Sequence, residues 1–477
     1  MNQIMPILES GKPDPQYIQL FTYIRNQILG GGIASGEKLP SLRSLAKALE
    51  ISLTTVGLAY DQLLVEGYIS SKRGSGYYVN EIASGMGTPP TRHFMSAEEE
   101  LSRENPFFHD PATFDFAKWK KCTNQVLTEY AHLLFHEGDP QGEPALRNEI
   151  AKYVYQSRGV LCTPSQIVIG AGTQQITGQL SNILNQLKID NVALEDPCYL
   201  PVKNIFRDRG FELHQVPVGK NGISISHLPR NNRAAVYVNP SNQFPTGAVI
   251  PIGKRYDLLA WAEKNDSIII EDDYDSELRY FGRPIPALQG LDTDERVVYL
   301  GSFSSTLYPS VKISYMILPE FMANIFQKQK SDYTQTCSKV EQLALSIYMK
   351  KGQYQTGIKK LRALCSQKLQ IVTYIFTRHA SDFITLSNTG SGVNIILTLQ
   401  SQRSPDQLCE MGASLGVHLS KVSSYTDTIN QGGSNQPSLI LYFNQIPLDE
   451  IASALQELII LWRDDKVNGA PGVSKKA

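Results

Sequence analysis

The chain contains no apolar run approaching the roughly 18–20 residues that cross a bilayer. Its N-terminus, MNQIMPILESGKPD, lacks a basic segment followed by an apolar one, so no signal peptide is expected. Six cysteines, Cys122, Cys162, Cys198, Cys337, Cys365 and Cys409, are scattered without CxxC or metal-ligand spacing. Excess charge is also missing: 45 Lys and Arg stand against 46 Asp and Glu, a net −1. No global field therefore points to nucleic acid or membrane. These absences argue against a membrane protein, a disulfide scaffold and a zinc module, and lead us to expect reduced thiols in a cytoplasmic protein. What is present is 477 residues, 42% hydrophobic and 19% charged, enough for two or three domains and a large core.

Residues 15–79 form the first block. PQYIQLFTYIRNQILGG has Leu20, Phe21, Ile24 and Ile28 at helical spacing, and Gly30-Gly31-Gly32 stops the helix. LPSLRSLAKALE predicts a second helix, with Pro40 suited to its first turn. In ISLTTVGLAYDQLLVEGY, Ser52 is a good N-cap, and Val56, Ala59, Tyr60 and Leu63 share one face. YISSKRGSGYYV reads as a hairpin with a basic, glycine-rich tip at Lys72, Arg73 and Gly74. Three helices and a wing make a winged helix-turn-helix. In that motif the second helix of the pair enters the major groove. Its candidate base readers are Ser52, Thr54 and Thr55. Arg43 suits phosphate, and Lys72, Arg73 and Gly74 suit backbone or minor groove. Over residues 1–80 there are 7 basic and 6 acidic side chains, a difference of only +1. That thin footprint leaves a helical protein–protein module as the alternative.

Residues 80–113 are rich in Pro, Gly, Ser and charge, and read as a linker. Residues 114–465 alternate strand and helix signals. QIVIGAG, NVALED, AAVYVN, SIIIEDD and RVVYLGS predict a mostly parallel sheet with helices on both faces, over about 114–330. Long helices and then strands over about 331–465 predict a smaller α+β lobe, and 466–477 a frayed tail.

Five pieces of this second region carry candidate chemistry. In IVIGAGTQQITG, Gly172, Thr173 and Gln174 open a helix whose free N–H groups suit a phosphate. Tyr199 in LEDPCY follows a strand end, where a ring can stack on a planar ligand or fill core. Asn239 opens the turn-rich NPSNQFPTG. In IIIEDDYDSELRY a carboxylate at a strand end, Asp272, can pair with a protonated ring nitrogen; a solvated acidic loop is the alternative. SFSSTLYPS offers Ser302 and Ser304 to phosphate oxygens.

The N-terminal block, GEKLPSLRSLAKALEIS through GSGYYV, resembles the winged helix of the GntR family of bacterial repressors. That family usually has an arginine where this chain has Leu53, and some members a second where it has Gly57. One bidentate arginine–guanine contact is worth about 1–3 kcal/mol, so a weaker or different readout is implied. The motifs GTQQ, EDPCY, NQFPTG, EDDYDSELRY and SFSSTLYPS resemble fold type I aminotransferases, and the fusion resembles the MocR subfamily of transcriptional regulators. The resemblance covers roughly residues 15–465. It implies that Asp272 pairs with the pyridine nitrogen of pyridoxal phosphate, Tyr274 with the ring hydroxyl, and Tyr199 with the ring face. Gly172, Thr173, Ser302 and Ser304 would hold the phosphate. It further implies a head-to-tail homodimer, with each winged helix on the partner's large domain, and a two-fold match to double-stranded operator half-sites.

Four positions depart from that pattern. Ser305 stands where the subfamily has the lysine that links covalently to the cofactor. Serine has no amine for that bond and cannot carry the proton that transamination moves. Lys312 replaces the phosphate-binding arginine and loses the bidentate fork. Glu137 stands before Asp139-Pro140, where the family often has a tyrosine reaching the neighbouring subunit's phosphate. Between Arg403 and Arg463 there is no arginine to anchor a substrate carboxylate, and the only lysine is Lys421. The expectation is a DNA-binding regulator with a catalytically inactive, dimerising, effector-sensing domain. Pyridoxal phosphate would be non-covalent if bound at all, and the effector is unnamed. The alternative is an active aminotransferase with an appended helix-turn-helix.

Overall fold

A computed structural model describes residues 6, 8, 14–72, 74–81, 107–230, 232–280, 285–426 and 436–463. The chain divides into two compact units, residues 1–104 and 105–477. Arg73, most of the expected linker and the expected tail lie outside the described residues.

In the first unit, α1 (Gln16–Leu29) ends at Gly30, and α2 (Leu42–Leu49) and α3 (Leu53–Val65) follow. Strands β1 (Ile69–Lys72) and β2 (Gly76–Val79) pair antiparallel as the wing. Leu20, Ile24, Leu45, Val56, Tyr60 and Leu63 meet in one buried core, as their spacing requires. Pro40 is not in the first turn of α2. Ser41 caps that helix by accepting from Ser44 N, so Pro40 precedes the cap, and its carbonyl accepts from Tyr60 Oη at 3.1 Å.

The second unit begins with α4 (Phe116–Glu129) and α5 (Pro144–Arg158). Then come β3 (Ile167–Gly170), α6 (Thr173–Gln186), β4 (Asn191–Asp196), α7 (Leu200–Asp208), β5 (Glu212–Gly219) and β6 (Gly222–Ile223). β7 (Ala234–Val238), α8 (Ile252–Lys264), β8 (Ile268–Asp273), β9 (Val297–Ser302) and β10 (Ser314–Ile317) complete one eight-stranded sheet, ordered β3-β10-β9-β8-β7-β4-β5-β6. β5, β4, β7, β8 and β9 run parallel, and β3, β10 and β6 pair antiparallel. β10 reverses because residues 303–313 make a short return without a crossover helix.

α9 (Glu320–Gln329), α10 (Lys339–Lys350) and the long α11 (Gln353–His379) lead to a four-stranded antiparallel sheet. Its strands are β11 (Ile384–Ser387), β12 (Ile395–Leu399), β13 (Leu419–Lys421) and β14 (Ser438–Leu441), covered by α12 (Pro405–Ser414) and α13 (Ile451–Arg463). Two boundaries differ from expectation. α10 packs Leu343, Ala344 and Tyr348 into the core of the parallel-sheet lobe, so by packing the lobes divide within α11, not near 331. Residues 107–113 are not free linker: the buried Asp110 accepts from Lys368 of α11 at 2.5 Å, and Lys368 also donates to the Asn444 carbonyl at 2.8 Å. That partner is 258 positions away, so local composition carries no sign of it.

Lys368 is fully buried, so removing it leaves an uncompensated carboxylate. Lys368→Met is expected to lower unfolding stability by about 3–5 kcal/mol in urea titration, and adding Asp110→Leu to recover most of the loss.

Candidate functional site

One cavity of about 340 Å³ opens where the parallel strands end. Gly172, Thr173, Gln174, Tyr199, Asn239, Asp272, Tyr274, Ser302, Ser304, Ser305 and Lys312 all line it. β4 leads to Tyr199, β7 to Asn239, β8 to Asp272 and Tyr274, and β9 to Ser302. Sequence reasoning did not single out the remaining wall: Ala171, Phe244, and Tyr425 and Tyr442 from the smaller lobe. Nothing local marks the last two, because the chain brings them back from beyond residue 420.

One end of the cavity suits an anion. Gly172 caps α6 at φ 85°, a left-handed conformation that side chains other than glycine rarely adopt. Gln175 N and Ile176 N both donate to the Gly172 carbonyl, at 3.2 and 3.3 Å, so the first-turn N–H groups without an intrahelical acceptor are those of Thr173 and Gln174. Ser302 Oγ accepts from Ser304 N at 3.3 Å and from Ser314 Oγ at 3.0 Å, which leaves its own proton to donate. Lys312 ends the 303–313 return at φ 47°, and its Cδ lies 3.8 Å from the Cβ that a side chain at Gly172 would carry. It is the one cation among the described lining residues.

The floor is acidic and dry. Asp272 is 8% exposed; its Oδ2 accepts from Tyr237 Oη, and its carbonyl accepts from Asn239 Nδ2 at 2.9 Å. Burial pushes the Asp272 carboxyl up to about 6, with the Tyr237 bond pulling the other way. Glu195, wholly buried behind Asn239, accepts from Asn239 N at 3.0 Å, and burial lifts it to about 8. Glu271 accepts from Leu288 N and Gln289 N, both at 2.8 Å, yet burial and Asp273 still raise it to about 7. The solvated acidic loop is therefore not what forms: Glu271, Asp272, Asp273 and Asp275 are all buried. Tyr274 turns its phenol toward Asp275, and burial with that neighbour keeps it protonated.

Ser305 donates its hydroxyl hydrogen to the Tyr274 carbonyl, so the side chain at the expected lysine position is spent on backbone. Glu137 does not line this chain's cavity. Lys421 does not either, since it pairs with Asp406 at 2.5 Å. The other end of the cavity is aromatic: Phe244 meets Tyr199, Tyr274 and Tyr425 edge-on at 6.4, 6.3 and 5.0 Å. Tyr442 stacks on His418 at 4.7 Å, and His418 on Phe107 at 4.7 Å. A column of rings thus runs from the cavity wall to the segment by which the chain enters this unit.

In the first unit, Arg43, Thr54, Lys72 and Gly74 are exposed as expected. Ser52 Oγ accepts from Thr55 N at 3.0 Å and lies 2.7 Å from Thr55 Oγ1, capping α3, so one proton of the two hydroxyls is used within the cap.

Comparison with known proteins agrees with both units. Residues 16–79 match the family of bacterial regulatory proteins, gntR family, and residues 105–411 match aminotransferase class I and II. The HTH-type transcriptional regulator YhdI of Bacillus subtilis is 35% identical over 96% of this chain and 98% of its own length. The probable rhizopine catabolism regulatory protein MocR of Rhizobium meliloti is 30% identical over 88% and 89%. The pyridoxine biosynthesis transcriptional regulator PdxR of Corynebacterium glutamicum is 34% identical over 77% and 80%. Among solved structures, a kynurenine aminotransferase of Pyrococcus horikoshii matches in fold at TM-score 0.64 and 21% identity, over 78% of this chain and 97% of that one. The chain belongs to the GntR family of transcriptional regulators, in the MocR branch that joins a winged helix to a fold type I aminotransferase-like domain. It is thus a DNA-binding transcriptional regulator, and no helix among its described residues is long and apolar enough to cross a membrane.

Three buried carboxyls that hold protons more tightly folded than unfolded set a sign for pH dependence. Their stabilisation is complete below the ordinary carboxylate range of about 4 and is lost as pH rises through about 6 to 8. Thermal unfolding of ligand-free protein is expected at falling temperature from pH 5.5 to 8.5, with a flatter profile for Asp272→Asn. A rising profile would contradict this.

Proposed function

We propose that the aminotransferase-like unit binds pyridoxal phosphate without a covalent bond, performs no transamination, and acts as a ligand sensor for the winged helix. The observation that carries the reading is Ser305: the position that would supply an amine holds a hydroxyl bonded to backbone, inside a cavity that keeps the other contact types. The donor set fits the cofactor. The α6 N-terminus, Ser302, Ser304 and Lys312 form an anion cradle. Asp272, desolvated and raised to about 6, gains most from a cationic ring nitrogen placed beside it. Tyr199, 40% exposed at the mouth, offers its face for stacking. When bound, the cofactor supplies an aldehyde and an electron-withdrawing ring. The residues here would hold and orient it, and Ser305 offers no amine to carry a proton to and from a substrate carbon. That PdxR is named a regulator of pyridoxine biosynthesis is in keeping with this ligand class. We further place the protein in the cytoplasm as a homodimer, the form in which paired half-sites are bound.

Pyridoxal phosphate at 100-fold its Kd is expected to stabilise dialysed protein by about 2.7 kcal/mol, read as a rise in unfolding temperature. Asp272→Asn should weaken that binding at least tenfold, and mixed amino acids should yield no oxo acid. Ser305→Lys should gain a visible absorption band with added cofactor. A folded Ser305→Lys protein that stays colourless, or turnover by the wild type, would overturn the reading.

A further inference from the structure

α3 is the helix that this motif lays in the major groove. Its sequence, LTTVGLAYDQLLV, contains no lysine or arginine. Thr54, Gly57, Leu58 and Asp61 lie on the side of α3 away from the buried Val56, Ala59, Tyr60 and Leu63, with Leu53 at the edge of that side. Leu53 and Leu58 are each 48% exposed, and they are the apolar side chains that α3 shows at this face. Apart from its chain neighbours, nothing lies within 4 Å of where a Cβ on Gly57 would sit, so the surface of α3 is open there.

Of the polar groups at the start of α3, Ser52 and Thr55 bond each other and the helix end. The unit's cations lie elsewhere. Arg43 and Lys47 are exposed on α2. Lys38 and Lys72 flank the wing at 6.0 and 4.8 Å from the Tyr78 ring centre. Such groups reach phosphate, which positions the protein without reading sequence. Guanine is read by bidentate donors such as arginine, and α3 has none to offer. The apolar feature of the major groove is the C5-methyl group of thymine, which is read by apolar contact.

We infer that Leu53 and Leu58 are specificity-determining residues that read thymine methyl groups, so that the operator half-sites are A·T-rich where they face the first turns of α3. The methyl meets the open surface at Gly57, Thr54 is the adjacent hydrogen-bonding group, and α2 and the wing hold the phosphates. This assignment rests on DNA binding alone and is independent of any ligand in the other unit.

The test uses full-length protein and a random duplex library. Selection is expected to enrich half-sites with thymines at fixed positions. In the selected site, replacing one contacted thymine by uracil, which removes only the methyl, should weaken binding about fourfold. Leu53→Ala and Leu58→Ala should weaken binding to the thymine site by a similar factor, with little further loss on the uracil site. Because both side chains are exposed, both variants should unfold at the wild-type temperature. Their salt dependence should match wild type, whereas Lys72→Ala should lower the salt slope by about one. Guanine-anchored sites, no enrichment, or indifference to every thymine-to-uracil exchange would each overturn the inference. The last two results would assign the leucines to a protein contact instead.

Discussion

Burying a charge is costly unless it is paired, and this fold buries a row of carboxylates at the end of β8. Much of the second unit is arranged to satisfy that row. Arg158 of α5 meets Asp273 at 2.7 Å, and Tyr299 of β9 donates to the same carboxylate at 2.6 Å. Glu271 takes two backbone N–H groups, Tyr153 donates to Glu277 at 2.7 Å, and Asn242 donates to both oxygens of Asp275. Ser391 of the smaller lobe holds Asn242 in turn, at 2.9 Å. Only Asp272 has its carboxylate at the cavity, supported from below by Tyr237. The same constraint therefore fixes the sheet to its helices, joins the two lobes and leaves one acid at the cavity.

The local signals of the sequence were strong where periodicity and burial coincide. β3, β4, β7, β8 and β9 are β-branched or apolar runs buried on both faces, and were legible for that reason. β5 was not: Glu212, His214 and Gln215 give it a mixed pattern near the sheet edge. The strand-end residues of the cavity could be read because loops at the C-terminal ends of parallel strands converge in space. Tyr425, Tyr442 and Tyr237 were missed for two different reasons. The first two come from a distant lobe, and the third looks like ordinary core until its hydroxyl must find a partner. Asp110 shows the same limit, since its cation comes from the middle of α11.

Both units keep the family's frame, and in each the resemblance implies a side chain that this sequence does not carry. In the second, Ser305 stands where the resemblance implies a lysine, in the cavity that Ser302, Lys312 and Asp272 also line, and on the function we propose, ligand binding there is separated from catalysis. In the first, Leu53 and Gly57 stand on α3 where the resemblance implies arginines, and the readout we infer there is apolar. The ring column Phe107–His418–Tyr442 runs from the cavity wall to the first described residues of the second unit.

The most direct test of the central claim is a pyridoxal phosphate titration of dialysed wild-type protein, followed by borohydride reduction and intact mass. The account predicts saturable cofactor absorption that washes out on dialysis and an unchanged polypeptide mass after reduction. A reduced cofactor adduct, which would fall on Lys312 as the one amine among the described lining residues, or no binding at all, would contradict it.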